Sequence, residues 1–144
     1  MLVVCSRRIS FQFLGLPRAG STMMERLSGD ELEKLIDAGR SGGAPVVIVD
    51  VRDEDRAAGW IAGSRHMPST SLTEDKLAAL AAEVSKMSPV TTVIFHCMLS
   101  QVRGPTACQR YNRIPGARAK VLTGGFQMFG QTVGRRRPDL VEGL

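Results

Sequence analysis

Two short runs of branched and aromatic residues constrain this chain more than anything else in it. Pro45-Val46-Val47-Ile48-Val49-Asp50-Val51 and Thr91-Thr92-Val93-Ile94-Phe95 each contain successive apolar positions with no polar residue interleaved. A strand with one wet face alternates, whereas a strand apolar at every step is covered on both faces. Sheets covered on both faces are parallel and carry helices above and below. The segments between the runs supply those helices. Ser28 and Glu31 form an S-x-x-E box ahead of Leu32, Leu35 and Ile36, which predicts a helix ending near Gly39. Thr73 caps a second helix, with Glu74 and Asp75 in its first turn and Leu77, Leu80, Ala81 and Val84 along one face. The Asp50–Met67 segment is polar, contains Gly59 and Gly63, and reads as a long loop with little regular structure. A third helix is expected from about Gly104 to Asn112, then a strand over about Ala119–Leu122. Gly124-Gly125 and a short helix through Phe126, Met128 and Phe129 follow. Strands alternating with helices define an α/β protein with an open parallel sheet flanked by helices.

The 144 residues suit one domain, expected over residues 25–144. Residues 1–24 contain Arg7, Arg8 and Arg18 and no acid. They read as a basic N-terminal arm, with a mitochondrial presequence as the alternative. No apolar run approaches the roughly 18 residues of a membrane span, so no membrane role is expected. Three cysteines, an odd count, suit free thiols in a reducing compartment, and the cytoplasm is the expected location. The net charge of +5 favours anionic partners. The basic residues are scattered, apart from Arg135, Arg136 and Arg137, and aromatics make up only 5%. Nucleic acid is therefore not the expected partner, and a small anion is.

The anion has an expected address. In open α/β sheets, ligands bind beyond the carboxyl ends of the strands, where helices begin. The second apolar run leads straight into His96-Cys97-Met98-Leu99-Ser100-Gln101-Val102-Arg103-Gly104-Pro105. The five residues Met98, Leu99, Ser100, Gln101 and Val102 can curl into a cradle whose N–H groups point inward. The helix start at Arg103 or Gly104 reinforces it. That field favours the thiolate of Cys97, the form that acts as a nucleophile. Arg103 supplies a planar fork for a tetrahedral oxyanion, which lysine does not. His96 points to the opposite face of the strand from its neighbour. It reads as a buried residue that hydrogen-bonds backbone and holds the loop, in preference to a general base. Ser100 is expected to donate its hydroxyl into the cradle. Cys108, about one turn into the helix, is either a small apolar residue of its buried face or a thiol that resolves oxidised Cys97. No metal and no bound cofactor are expected.

His-Cys-x5-Arg-Gly-Pro at residues 96–105 resembles the rhodanese-fold phosphatases related to the cell-cycle dual-specificity enzymes. It also resembles their relatives, the arsenate and antimonate reductases of eukaryotes, protozoan ones included. Asp50-Val51-Arg52 followed by Gly59-Trp60-Ile61-Ala62-Gly63 is similar to the rhodanese signature Asp-x-Arg…Gly-His-Ile-x-Gly. Leu122-Thr123-Gly124-Gly125-Phe126 is similar to the family's Leu-x-Gly-Gly-Phe. The resemblance implies a rhodanese-like domain, Cys97 as nucleophile, Arg103 as anion clamp, and Asp50 and Arg52 as braces behind the loop. A five-residue spacer implies room for phosphate or arsenate, where sulfurtransferases carry a shorter loop.

Three departures bear on activity. Trp60 stands where the signature has His, and Val51 stands where the cell-cycle phosphatases carry a resolving Cys. The loop contains no carboxylate, although an efficient phosphatase usually needs a general acid. No acid stands near the motif in sequence, and Asp53, Glu54 or Asp55 could approach it in space. The resemblance with these departures implies thiol-dependent reduction of arsenate, with antimonate as a second oxyanion and slow phosphatase activity beside it. Glutathione is the expected reductant and glutaredoxin the expected protein partner. The alternatives are a protein-tyrosine or dual-specificity phosphatase and a catalytically idle rhodanese module that binds partners.

Overall fold

The structure is a computed structural model that describes residues 24–144. The N-terminal arm expected over residues 1–24 lies outside the described residues but for Met24. Strand β1 (Arg26–Leu27) leads into helix α1 (Gly29–Arg40). Ser28 caps that helix: its Oγ accepts the Glu31 N–H at 3.1 Å, and Glu31 Oε1 accepts the Ser28 N–H at 2.8 Å. Strand β2 (Val46–Asp50) is followed by a 3-10 turn at Glu54–Ala58 and two short strands, β3 (Trp60–Ile61) and β4 (Arg65–His66). Helix α2 (Glu74–Ser85) starts at Thr73, whose Oγ1 accepts the Lys76 N–H at 3.2 Å. Strand β5 (Thr92–His96), helix α3 (Arg103–Asn112) and strand β6 (Ala119–Leu122) complete the predicted series. Helices α4 (Gly125–Gln131) and α5 (Val133–Arg136) and strand β7 (Val141–Glu142) close the chain. Among the described residues, no helix is long and apolar enough to cross a membrane.

The main sheet runs β1-β6-β5-β2-β4, and every pairing is parallel. The two apolar runs therefore sit side by side at its centre, with Asp50 opposite His96. Alternation along them divides the core. Val47, Val49, Val93 and Phe95 face Leu77 and Leu80 of α2 and Ala107, Cys108 and Tyr111 of α3. Ile48 and Ile94 face Leu32 and Ile36 of α1 and Phe126 and Phe129 of α4. Each fully buried side chain of this kind contributes about 1.5–3 kcal/mol, which is why both faces of the central strands had to be apolar.

The Asp50–Met67 segment is more ordered than its composition suggested, and the cause is a buried cation. Arg52 has no exposed surface. Its Nη2 donates to Asp50 Oδ2 at 2.7 Å and to the Gly59 carbonyl at 2.6 Å, and Nε donates to Asp50 Oδ1 at 3.0 Å. Phe126 covers the guanidinium at 4.3 Å from its ring centroid. The polar segment folds back to surround this group, and β3 then pairs antiparallel with β7 near the C-terminus. Trp60 anchors that ribbon, donating from Nε1 to Glu142 at 2.9 Å and lying under Arg56. The basic cluster is also engaged internally. Arg136 and Arg137 pair with Asp30, Glu33 and Asp37 of α1, and Arg137 also with Asp139.

Removing one partner of a buried ion pair leaves an uncompensated charge, at a cost of about 3–5 kcal/mol. Arg52→Leu should therefore lower the unfolding free energy by that amount in urea titrations. A loss under about 1 kcal/mol would show that Arg56, whose Nε already stands 3.3 Å from Asp50 Oδ2, compensates that charge alone.

Candidate active site

Cys97 follows directly on β5, the central strand, so its side chain continues the face of Val93 and Phe95 and is almost fully buried. Gly104, in the first turn of α3, donates its N–H to Cys97 Sγ at 3.3 Å. The approach is close: a Cβ on Gly104 would lie 3.2 Å from the backbone of His96 and Cys97, which would have to give by a few tenths of an ångström. The partial positive charge of the helix start is thus delivered to the sulfur at close range.

The loop between them is shaped from three sides. Phe126 and Gln127 of α4 donate their N–H groups to the carbonyls of Cys97 and Met98, both at 3.0 Å. Arg26 of β1 donates from Nη1 to the Ser100 carbonyl at 3.2 Å. Inside the loop, Ser100 Oγ accepts the Cys97 N–H at 3.4 Å. Ser100 takes φ 55°, left-handed backbone that costs a non-glycine residue about 1–3 kcal/mol. Its hydroxyl is buried and turned to the loop's own backbone, and so serves the cradle's shape. With carbonyls tied outward, the N–H groups of Met98, Leu99, Ser100, Gln101, Val102 and Arg103 have no acceptor among the described residues. These are the donors an anion-binding nest requires.

A cavity of about 400 Å³ opens above this loop, lined by Cys97, Met98, Leu99, Gln101, Val102, Arg103 and Asp55. A larger cavity of about 620 Å³ lies at the other end of β5, around Thr92, Tyr111 and Ala117. It has no cysteine, histidine or carboxylate in its wall. The cysteine and the carboxylate line the smaller one.

His96 lies on the opposite face, fully buried. Its Nδ1 is 3.0 Å from the Cys97 carbonyl, so that nitrogen carries the proton. Nε2 has no hydrogen-bond partner and stands 3.9 Å from Asp50 Oδ2. Burial lowers the imidazole pKa despite Asp50, and the ring is neutral. Asp50 is also buried, which disfavours its charge, but the Arg52 hydrogen bonds outweigh this and hold it below the ordinary range. Cys108 is buried under α3, takes a hydrogen bond from Asn112, and is pushed up to about 12 by that burial. Such a thiol is not an attacking group near neutrality, and of the two sequence readings the structure supports the apolar one.

Of the three acids expected to approach the motif in space, Asp53 and Asp55 meet Arg103. Asp55 faces Arg103 with both oxygens, taking Nη1 at 3.0 Å and Nη2 at 2.6 Å. Asp53 Oδ2 takes Nη1 at 3.3 Å. Hydrogen bonds from Ser69, Thr70 and Arg103 hold Asp53 far below the ordinary carboxylate range, and Arg103 lowers Asp55. Neither keeps a proton to donate at neutral pH, so the general acid sought among them is not provided in this arrangement. The Arg103 contacts to Asp53 and Asp55 and the Arg26 contact to Ser100 carry no local sequence signal.

The structure thus brings together a strand-end cysteine under a helix start, a loop of N–H donors and an arginine at the end of that loop. The rhodanese-like domain model matches residues 28–132, and the chain belongs to that family. It is 48% identical over 66 residues to the dual specificity phosphatase Cdc25 of Arabidopsis thaliana. That match covers 45% of this chain and 42% of the relative. It is 45% identical over 67 residues to arsenate reductase 2.2 of rice, covering 46% and 48%. Each match thus spans less than half of the relative. The solved As-Sb reductase of Leishmania major superposes with a TM-score of 0.72 at 31% identity, covering 83% of this chain and 85% of that one.

Two outcomes are expected at the site. Gly125 holds φ 60°, and a Cβ there would lie 2.5 Å from the Cys97 carbonyl oxygen and meet that of Met98 as well. Gly125→Ala should therefore displace the loop and lower Cys97-dependent turnover at least about tenfold while the far-ultraviolet spectrum is kept. His96 gives a pH signature. Its pKa is lowered in the native state, so below its unfolded value of about 6.5 the unfolded chain binds a proton that the native chain does not. Stability should fall as pH drops below about 6.5, starting above the window of the carboxylates. His96→Gln should flatten that slope in urea titrations.

Proposed function

We propose that this protein reduces arsenate to arsenite through Cys97. The reading rests on one observation: the cradle has a nucleophile and six N–H donors without an acceptor among the described residues, yet in the free protein both carboxylates at its mouth are engaged by Arg103. An efficient phosphatase needs a protonated acid for the departing oxygen. Arsenate needs less, because its oxygens exchange readily and arsenic is thiophilic. The rice and Leishmania relatives, described as reductases, support the same choice.

The cradle amides and Arg103 hold the oxyanion, and the Cys97 thiolate attacks arsenic. An S–As bond forms, an As–O bond breaks, and the oxygen leaves as water after taking protons from solvent. A second thiolate, glutathione by analogy with the family, then attacks Cys97 Sγ. The S–As pair stays on arsenic, which goes from the pentavalent to the trivalent state, and the two sulfurs are oxidised to a mixed disulfide. Thiol exchange, with glutaredoxin as the expected partner, restores Cys97. Val51 carries no thiol and, among the described residues, the one other cysteine, Cys108, is buried in the core, which suits an external reductant. Antimonate fits the same donors. The Arabidopsis relative favours a second reading, dual-specificity phosphatase activity.

Arsenite formation with glutathione and glutaredoxin, run beside aryl phosphate hydrolysis, separates these. Cys97→Ser should abolish arsenite, and Arg103→Ala should slow it about 10²- to 10³-fold, as for loss of an oxyanion donor. Brisk Cys97-dependent hydrolysis with no arsenite would make the protein a phosphatase, and silence in both assays would make it a binding module.

A further inference from the structure

Arg103 already has a ligand. Both terminal nitrogens face Asp55, and Nη1 also reaches Asp53. The two carboxylates are held differently. Asp53 is tied down by the Ser69 hydroxyl at 2.6 Å, the Thr70 hydroxyl at 2.9 Å and the Thr70 N–H at 3.0 Å. Among the described residues the Asp55 carboxylate receives, apart from Arg103, the Asp53 N–H at 2.9 Å, and it lines the cavity beside Cys97. One guanidinium between two carboxylates leaves that cluster net negative beside a cradle made of N–H donors, with Arg26 on the loop's other side at the Ser100 carbonyl. An incoming oxyanion meets both a competitor for the fork and repulsion from it.

We propose that Asp55 is a gate on the oxyanion site: it occupies the Arg103 fork in the free protein, and a tetrahedral anion enters by displacing it. This rests on the reading of Cys97 and Arg103 as an oxyanion site. The gate weakens all tetrahedral anions alike, a uniform effect on binding. An anion that only binds, such as inorganic phosphate, is held weakly. One that the sulfur captures covalently is retained by the bond. Discrimination between the two then falls to Cys97 and not to the arginine. The partial exposure of Asp55 and Arg103, near one-third for each side chain, allows the pair to open without unfolding.

The probe is inorganic phosphate, titrated calorimetrically into Cys97→Ser and into Cys97→Ser with Asp55→Asn, where no chemistry follows binding. Asparagine keeps an oxygen for the Asp53 N–H and removes the charge. The expected result is a Kd about three- to tenfold lower with Asp55→Asn, the size of one partly screened charge near the ligand. Asp55→Ser should shift it in the same direction, which guards against a folding defect in one variant. On the Cys97 background, Asp55→Asn should lower the KM for arsenate more than it changes kcat. Unchanged or weaker phosphate affinity would overturn the gate and make Asp55 a brace that orients Arg103. Absence of phosphate binding in every variant would overturn it too. The reductase reading stands or falls separately, on arsenite formation by the unaltered protein.

Discussion

The loop that begins at Cys97 keeps its shape because three of its carbonyls, those of Cys97, Met98 and Ser100, are held from outside. Phe126 and Gln127 donate to Cys97 and Met98, and the carbonyls so tied turn the intervening N–H groups toward the cavity. An amide plane has two ends: fixing the oxygen outward fixes the N–H of the next residue inward. The last βα unit thus determines the electrostatics of the central one. Gly125 has to be glycine for this contact to form, since any Cβ would strike the oxygens being held.

Two arginine–aspartate pairs serve this architecture in opposite ways. Arg52 and Asp50 are buried, multiply hydrogen-bonded and capped by Phe126, so the pair is a permanent part of the core behind the site. A pair desolvated to that degree does not exchange partners at low cost. Arg103 and Asp55 meet at the rim, where water screens both and a competing anion can approach. The same chemistry is a brace in one place and exchangeable in the other, and burial makes the difference.

The first-order architecture was legible from residue order. Capping at Ser28 and Thr73, the two central strands and the strand at Ala119–Leu122 are local patterns, and each appears where the pattern put it. The stretch from Asp50 to Met67 was misread because its polarity serves a buried cation and not solvent. Strands β1 and β7, two residues each, pair with segments far away and are too short for any period to show. At the site, Cys97, the loop and Arg103 could be placed from sequence because strand, loop and helix are contiguous.

Sequence alone determined which elements form, that the central strands are covered on both faces, and that a cysteine stands where a strand ends and a helix begins. Those properties depend on neighbours within a few residues, which periodicity and capping record. Only the tertiary structure decided which carboxylates meet Arg103, 48 and 50 residues away, and that Arg26, 74 residues from Ser100, grips the loop. It also decided that Cys108 is sealed in the core. These contacts follow from strand order and loop closure, which the packing of the whole chain sets and no local pattern encodes.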